Sequence, residues 1–364
     1  MPFLRAKVFK ENVTSQVARM SHCVTVLPSG KTFTARADES VLEAALRQGI
    51  ILPYGCRKGV CGSCKGRIRD GAIAYPAGLP DGIEATEAEA GQALFCQARA
   101  TTDLVVEAEV AEGVADLEVR MRPCRVDAME RLNHDVMRLF LRLPRNDRLP
   151  FLAGQYLEFQ LQDGRKRSFS MANAPHDDAR IELHLRHVPG GFFTDYVFNE
   201  MQEKAVLRLR APLGTFYLRE DSPHPIILIA GGTGFAPIKA IVEHALHIGL
   251  TRPMHLYWGA RSGADLYLPD LPREWARRHA QLDYTPVLSE PGPDEAAATA
   301  TGFVHEQVAR DYPDLSGHDV YLCGPPVMIQ AARRTFVTEC GLPEERLYFD
   351  SFEYAAASEA PDEA

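Results

Sequence analysis

The chain has 364 residues, of which 46% are apolar and 24% charged, and its net charge is −9. A chain of this length is expected to form two or three domains. The negative charge argues against nucleic acid as the main partner. No apolar run reaches the roughly 18 residues that a membrane span needs. The composition therefore predicts a multidomain protein without a membrane span.

The N-terminus and the cysteines indicate the compartment. Residues 1–19 lack the long apolar segment and the small-residue cleavage site of a secretory signal, and we interpret them as a flexible extension. Met20 is an alternative start of translation. Four of the eight cysteines are scattered singly, as free thiols in a reducing compartment usually are. We therefore expect a cytoplasmic protein.

Residues 22–37 are two β-prone runs around Pro-Ser-Gly, which predicts a hairpin. A short helix is predicted over 41–48, because Ser40 and Glu43 form a capping box and Gly49 is a stop signal. Two further β-prone runs follow, "GRIRDGAIA" and "TDLVVEAEV". The pattern predicts a small α+β unit over 20–112, and 111–120 is interpreted as a linker.

The loop "YGCRKGVCGSCKG" at 54–66 carries the spacing C-x4-C-x2-C, and a fourth cysteine follows after 31 residues (65–95). This is the plant-type [2Fe–2S] spacing. The predicted iron ligands are Cys56, Cys61, Cys64 and Cys96. Gly55, Gly59 and Gly62 would allow positive φ and bring backbone N–H groups onto the sulfurs. Zinc is the alternative, but structural zinc sites favour paired C-x2-C knuckles and only one pair is present.

A basic collar surrounds these cysteines, with no acid between positions 55 and 69. Its members are Arg57, Lys58, Lys65, Arg67 and Arg69. One hypothesis is that an electron acceptor docks there with an acidic surface. The alternative is a solvated face or contacts within the chain.

From 121 to 222 the pattern is antiparallel β, and strands at this spacing suggest a closed barrel. In "RIELHLRH" the side chains alternate strictly along the strand. One face carries Ile181, Leu183 and Leu185, and the other carries Glu182, His184 and Arg186.

The segment "RSFSMAN" at 167–173 resembles the R-x-[YF]-S signature of the ferredoxin-NADP reductase superfamily. Arg167 can neutralise a pyrophosphate, and Phe169 can lie against an isoalloxazine ring. Ser170 can hydrogen-bond the flavin N5 edge, where hydride arrives, and Ser168 is included in the predicted site. The alternative is an ordinary barrel strand.

In "HVPGGFFTDYVF", Gly190 and Gly191 lead into a predicted helix with Thr194 in its first turn. Backbone N–H groups at a helix start bind anions. By resemblance to the same superfamily, this segment would bind the flavin pyrophosphate.

From 223 to 349 strands and helices alternate, which predicts an α/β domain with a parallel sheet. "IAGGTGFAPIKAI" has the form G-x-G-x-x-P, which occurs in the same reductase superfamily. Its glycines permit close backbone approach, and its proline suits the first helical turn. The predicted nicotinamide residues here are Gly232, Thr233, Gly234 and Pro237, with Thr233 facing the nicotinamide. "YLCGPPVM" adds Cys323 and Gly324 to the predicted nicotinamide site, and "FDSF" adds Phe352 to the predicted flavin site.

Residues 20–112 resemble plant-type ferredoxins, and the whole of 20–352 resembles the family of CDP-6-deoxy-Δ-3,4-glucoseen reductases. The resemblance implies a fold of mixed α+β and α/β class. It comprises a β-grasp [2Fe–2S] ferredoxin domain over 20–112, an antiparallel FAD-binding β-barrel over 121–222 and a parallel-sheet NAD(P)H-binding domain over 223–352. A mobile acidic tail is predicted over 353–364.

The resemblance also implies roles for individual residues. Cys56 and Cys61 would hold one iron, and Cys64 and Cys96 the other. Cys323 would sit near the nicotinamide C4 and help to place it, although a lone buried thiol is usually apolar packing. Phe352 would lie beside the isoalloxazine, with ordinary strand packing as the alternative.

The cofactor preference rests on one residue. NADPH reductases of this type often have Ser-Arg-Glu near 287, whereas this chain has "VLSEP" with Glu290 at the arginine position. A carboxylate suits a free 2′-hydroxyl and repels a 2′-phosphate. We therefore favour NADH over NADPH.

The predicted reaction passes electrons from NADH through FAD and the [2Fe–2S] cluster to a partner enzyme. NADH supplies two electrons at once and the cluster takes one, so the flavin is the converter. By resemblance the partner is a sugar dehydratase, and the alternative is an oxygenase component for aromatic hydroxylation. Two other possibilities are a flavin reductase for small acceptors and a metal-binding module without redox turnover.

Overall fold

We describe the protein from a computed structural model, which describes residues 21–114, 117–297 and 299–352. The predicted extension at 1–19, the start at Met20 and the tail at 353–364 lie outside the described residues. By its contacts the chain divides into two compact units. The first contains the residues up to Pro53 and Arg57–Glu112, and the second contains Tyr54–Cys56 and the residues from Gly113 onward. Within the described ranges, no helix is long and apolar enough to cross a membrane.

The first unit is built on a mixed sheet with the strand order β2-β1-β7-β3-β5, beside a two-stranded pair of β4 and β6. Strand β1 runs antiparallel to β2 and parallel to β7. Its elements are β1 (Ser21–Leu27), β2 (Lys31–Arg36), α1 (Val41–Arg47), β3 (Lys65–Asp70), β4 (Ile73–Ala74), α2 (Ala85–Glu89), β5 (Gln92–Leu94), β6 (Arg99–Ala100) and β7 (Leu104–Glu107).

The hairpin and the capping box of this unit are confirmed. Strands β1 and β2 pair in register from Ser21 opposite Arg36 to Val26 opposite Lys31. The backbone N–H of Glu43 donates to the Ser40 hydroxyl at 3.1 Å, and the Ser40 N–H donates back to the Glu43 carboxylate at 2.9 Å. Helix α1 buries its apolar side chains beside the sheet, which gives the β-grasp fold.

The second unit begins with an antiparallel sheet of order β11-β10-β13-β8-β9-β12. A bridge between Met171 and Leu183 joins the two outer strands, so the sheet closes on itself and the predicted barrel is confirmed. Its elements are β8 (Arg120–Arg131), β9 (Val136–Arg142), β10 (Tyr156–Gln160), β11 (Lys166–Ser170), β12 (Ile181–Arg186), α3 (Phe192–Asn199) and β13 (Val206–Leu213).

Strand β12 has two faces, and both are covered. Ile181, Leu183 and Leu185 lie in the barrel core, as the alternation predicted. The polar side chains of Glu182 and His184 on the opposite face are also buried. Something other than water must therefore satisfy them.

The rest of the second unit is a parallel sheet of order β17-β16-β15-β14-β18-β19. Helix α4 ends before Gly249, which has a φ of +70°. The elements are β14 (Ile226–Gly231), α4 (Phe235–His247), β15 (Met254–Ala260), α5 (Asp270–Arg278), β16 (Leu282–Leu288), α6 (Pro293–Ala296), β17 (Ala300–Thr301), α7 (Val304–Asp311), β18 (Asp319–Gly324), α8 (Pro326–Thr338) and β19 (Leu347–Ser351).

Candidate functional site

Three of the four predicted cluster cysteines lie close together, and these three are buried. Cys61, Cys64 and Cys96 are buried, and Cys56 is half-buried. A hydrogen bond with the Cys96 thiol, followed by burial, raises the pKa of Cys64 well above its usual value. Thiols packed this closely resist ionising together unless a cation is present. The donor set and its burial therefore fit an iron–sulfur cluster, whose irons supply that charge.

The loop backbone bends through left-handed residues around these sulfurs. Gly59 and Gly62 have φ values of +81° and +82°, as predicted. Gly55, which the structure also describes, does not have a positive φ, whereas Arg57 does at +60°. The expectation for Gly55 was therefore wrong, because the left-handed turn falls on the residue after Cys56.

Polar donors from the loop and its neighbour reach the sulfurs. The backbone N–H of Ser63 donates to Cys61 Sγ at 3.5 Å. The side-chain amide of Gln97 donates to Cys96 Sγ at 3.9 Å and to the carbonyl of Arg57 at 3.1 Å. Such bonds stabilise negative charge on sulfur and tune the potential of a cluster.

The basic collar is only partly available to a partner. Lys65 Nζ lies 2.6 Å from Glu87 Oε1, and Arg69 is paired with Glu107. The interpretation as contacts within the chain is therefore correct for these two residues. Lys58 and Arg67 are exposed to solvent.

The predicted flavin segment at 167–173 comprises most of strand β11 and the three residues that follow it. Phe169 packs against Phe159 and Phe193, with ring centroids 5.9 Å and 5.6 Å apart. Because Phe193 belongs to α3, this contact brings the flavin segment next to the start of that helix. Arg167 is half-buried and Ser168 is exposed at the same edge.

The start of α3 is shaped by its glycines and by a threonine. Gly190 has a φ of +78°, and Gly191 is the N-cap. The Thr194 hydroxyl accepts from the Val188 N–H at 3.2 Å and donates to a carbonyl within the same turn. Thr194 therefore stabilises the turn that presents the helix N-terminus, where an anion is favoured.

The predicted nicotinamide loop joins β14 to α4 through a 3₁₀ turn at Gly232–Gly234. A Cβ atom on Gly234 would lie 2.1 Å from the carbonyl oxygen of Cys323, so only glycine fits. Trp258 Nε1 donates to the Gly232 carbonyl at 3.0 Å. Thr233 is buried. Pro237 lies in the first turn of α4, as predicted.

The ends of β11, β18 and β19 meet at a buried acid that the sequence analysis did not single out. The Ser170 hydroxyl donates to the carboxylate of Asp350, and Asp350 lies opposite Cys323 in the sheet. Burial and the nearby Cys56 thiol, against the bond from Ser170, raise the pKa of Asp350 to about 7. The available signal was a single acid inside the apolar strand "LYFDSF".

Cys323 and Phe352 flank this acid. Cys323 is fully buried, and burial raises the pKa of its thiol well above the usual value. The Phe352 N–H donates to the carbonyl of Gly324 at 3.0 Å, and its ring packs against the core that contains Cys323. The structure therefore gathers Cys323, Gly324 and Phe352 around the nicotinamide loop.

Glu290 lies apart from this group. It is exposed two residues beyond β16, and β15 separates that strand from β14. Its backbone N–H donates to the carbonyl of Arg261 at 2.8 Å. The Arg261 guanidinium lies 3.2 Å from Asp265. Glu290 is therefore joined to the end of β15 through its backbone, while the Arg261 side chain is paired with Asp265.

Three protein families match consecutive parts of the chain. They are the 2Fe-2S iron-sulfur cluster binding domain at 24–101, the oxidoreductase FAD-binding domain at 123–217 and the oxidoreductase NAD-binding domain at 228–334. Each match contains the site residues described above for its cofactor, except Asp350 and Phe352, which lie beyond the NAD-binding match. The three cofactors are therefore those of the matched families.

Relatives and solved structures match nearly the full chain. CDP-6-deoxy-L-threo-D-glycero-4-hexulose-3-dehydrase reductase of Yersinia pestis is 39% identical, covering 92% of this chain and 99% of its own. Reductase component 1 of terephthalate 1,2-dioxygenase from Comamonas is 37% identical, covering 92% and 98%. The crystal structure of an Amycolatopsis cytochrome P450 reductase is 33% identical with a TM-score of 0.73, covering 93% and 100%.

These matches confirm the resemblance on which the sequence analysis rested. The order of the three domains, their cofactors and the length of the chain are shared with reductases that serve partner enzymes. The chain belongs to the family of iron–sulfur flavoprotein reductases that transfer electrons from a reduced nicotinamide cofactor through FAD and a [2Fe–2S] cluster to a partner enzyme.

Proposed function

We propose that the electrons leave through the cluster to a separate cytoplasmic enzyme, which docks against the cysteine loop with an acidic surface. The exposure of Lys58 and Arg67, both close in sequence to the cluster cysteines, carries this proposal. The four cysteines outside the proposed cluster site are free thiols, which supports a reducing compartment.

We propose that the partner is a sugar dehydratase, the class of enzyme named in the relative of 39% identity. The second candidate is an oxygenase component, because a dioxygenase reductase is 37% identical over the same share of the chain. A flavin reductase for small acceptors is the remaining alternative. Under that alternative, the cluster would be dispensable for turnover.

The side chains of the second unit divide the work of the first half of the reaction. Bound flavin supplies the conversion between two-electron and one-electron transfer. Arg167 and the N-terminus of α3, with Gly190 and Gly191, would neutralise its pyrophosphate. Ser170, whose hydroxyl donates to Asp350, would face the N5 edge.

The nicotinamide would be placed by the loop between β14 and α4 and by the end of β18. Gly232, Thr233 and Gly234 would allow its ring to approach the backbone, and Cys323 with Gly324 would border its reactive carbon. Phe352 would lie beside the isoalloxazine. Cys56 and Cys61 would hold one iron, and Cys64 and Cys96 would hold the other. The domain limits are those of the sequence analysis, at 20–112, 121–222 and 223–352.

The docking proposal is tested by charge reversal. We expect Lys58→Glu/Arg67→Glu to lower NADH-driven turnover of the partner at least tenfold at low salt, with ferricyanide reduction unchanged. The matched control is Arg145→Glu/Lys204→Glu, which makes the same charge change at exposed sites of the barrel. Equal turnover by both variants would contradict docking at the loop. The small-acceptor alternative would be favoured if free FMN stimulated NADH oxidation and neither a sugar dehydratase nor an oxygenase component did.

The preference for NADH is tested at Glu290. Glu290→Arg should raise kcat/KM for NADPH at least tenfold, because it removes a carboxylate and adds a cation near the expected position of the 2′-phosphate. Asp294→Arg, which reverses an exposed acid on nearby α6, is the control. No gain over this control would show that Glu290 does not contact the ribose.

A further inference from the structure

A buried group of ionic side chains joins the barrel to the parallel sheet. Lys239 of α4 is buried, as are Glu182 and His184 of β12. Lys239 Nζ lies 3.0 Å from Glu182 Oε2, 3.0 Å from the carbonyl oxygen of Ala172 and 2.9 Å from Glu243 Oε2. An ammonium group has three donors, so all of its donors are used by these acceptors. We call these residues, together with Tyr267, the Lys239 network.

The network continues through a neutral histidine. The Glu182 carboxylate can only accept, so His184 Nε2 carries the proton and donates to Glu182 Oε1 at 2.9 Å. His184 Nδ1 then accepts from the Tyr267 hydroxyl at 3.0 Å. Burial lowers the pKa of His184 and keeps the ring neutral. The hydrogen bonds of the Lys239 network therefore join strand β12 both to helix α4 and to the segment that contains Tyr267.

The charge on Glu182 is stabilised by its partners. Burial alone would raise the pKa of this carboxyl, but the bond from His184 and the charge of Lys239 outweigh burial and lower the pKa to about 2. Glu182 is therefore ionised at neutral pH. Removal of Lys239 alone would leave the buried Glu182 anion with the more distant Arg138, 3.8 Å away, as its remaining cation, which is unfavourable.

The positions of these residues in the chain connect the two cofactor-binding segments. Ala172 follows Ser170 by two residues, and Lys239 follows Pro237 by two residues. The ammonium group of Lys239 therefore links the backbone of the flavin segment, at Ala172, to the helix that begins at the nicotinamide loop. The two carboxylates that accept from Lys239 lie on different elements, with Glu182 on β12 of the barrel and Glu243 on α4 of the parallel-sheet region.

We propose that the Lys239 network is a positioning device for hydride transfer, which sets where the nicotinamide loop lies relative to the flavin segment. Lys239, Glu182 and His184 are positioning residues, since none of them is placed at the reacting atoms. Directional bonds define one geometry, whereas apolar packing of the same area tolerates sliding. The proposal rests on the transfer of electrons from NADH to the flavin and is independent of the partner enzyme.

Rate distinguishes positioning from stability. A buried ion pair is weak evidence for stability, because an uncharged pair of similar size is often as stable. Small misplacements of reacting groups, however, lower rates by large factors. Neutralising both partners should therefore leave folding and cofactor binding largely intact and slow the hydride step.

The test is the double variant Lys239→Met/Glu182→Gln in the flavin-loaded protein, which removes the ammonium together with the Glu182 carboxylate, while the Glu243 carboxyl keeps access to solvent. We expect flavin reduction at saturating NADH, followed anaerobically by stopped flow, to slow at least tenfold. We expect FAD content to be unchanged and the Kd for NAD⁺ to change less than twofold. Amide hydrogen exchange at 171–174 and 235–240 should become faster. If the double variant does not fold, Lys239→Arg, which keeps the charge but alters its geometry, is judged by the same criteria.

The matched control is Arg252→Met/Asp319→Asn. Arg252 and Asp319 form a buried pair at 3.1 Å that lies wholly within the parallel-sheet region. This control should leave the rate of flavin reduction within twofold of the original. The proposal is overturned if the network variant reduces its flavin at the original rate, if the control slows it equally, or if the network variant loses FAD or binds NAD⁺ ten times more weakly.

Discussion

Two glycine-rich loops are the proposed sites of the cluster and of the nicotinamide, and they use glycine for partly different reasons. In the cysteine loop, Gly59 and Gly62 have positive φ values, which side-chain-bearing residues rarely adopt. In the nicotinamide loop, Gly232 also has a positive φ, of +53°, but Gly234 has an ordinary φ of −57°, and the obstacle to a side chain there is the carbonyl oxygen of Cys323. The first loop needs conformational freedom, and the second also needs space.

The difference follows from what each loop must do. The cysteine loop wraps around a group that it binds through side chains, so its backbone has to reverse direction within a few residues. The nicotinamide loop lets a backbone turn approach the end of β18 closely, so it has to be thin. Substitutions by the same small side chain should therefore have unequal costs in the two loops.

The largest effect is expected at a cluster ligand. Cys64→Ser replaces a thiol that lies beside Cys96 and should abolish the cluster, because oxygen is a poor substitute for sulfur on iron. Iron content and visible absorbance report the loss, and NADH should still reduce the flavin. Cys23→Ser, at an exposed thiol of β1, is the control. An intact cluster in Cys64→Ser would contradict the assigned ligand.

The next largest effect is expected at Gly234. A Cβ 2.1 Å from the Cys323 carbonyl oxygen must displace backbone, so Gly234→Ala should lower the free energy of unfolding by about 3 kcal/mol. NAD⁺ binding should weaken with it. Urea unfolding and an NAD⁺ titration measure both.

Gly249→Ala is the control for this substitution, at the end of the same helix. A Cβ there meets nothing within 4 Å, so only the positive φ opposes the alanine. Its cost should be about 1 kcal/mol. Equal losses at positions 234 and 249 would show that close approach is not what requires glycine in the nicotinamide loop.

A smaller effect is expected at Gly59. Alanine at a φ of +81° should cost about 1–2 kcal/mol in unfolding free energy. The added Cβ would lie 2.7 Å from Gln97 Cγ, but that side chain can move. The variant should keep its cluster, with a shifted reduction potential because Gln97 also bonds Cys96 Sγ. A loss of stability larger than that of Gly234→Ala would reverse the comparison.

Much of the fold and of the site could be predicted because the signals are local. The spacing of Cys56, Cys61 and Cys64 identifies a cluster loop without any knowledge of the distant chain. The capping box at Ser40 and the glycine stop at Gly49 likewise depend on neighbours in sequence. These features can be predicted from the sequence because they are defined by residues that are close together in the chain.

The rest could not be predicted, because it depends on contacts between remote segments. Alternation in β12 correctly separated Glu182 from Leu183, but it cannot tell what covers the polar face. That face is covered by Lys239, 57 residues away. Asp350 went unnoticed for the same reason, since its partner Ser170 lies on another strand. The positive φ of Arg57 could not be predicted either, because arginine, unlike glycine, does not indicate a left-handed backbone.

The central claim is that electrons pass from the nicotinamide cofactor through the flavin to the cluster. The most direct measurement is an anaerobic titration of the holoprotein with NADH, following visible absorbance together with electron paramagnetic resonance. The account predicts that the flavin absorbance bleaches and that the signal of a reduced [2Fe–2S] cluster appears, and that Cys64→Ser shows only the first change. A flavin that is fully reduced while the cluster of the original protein stays oxidised would contradict it.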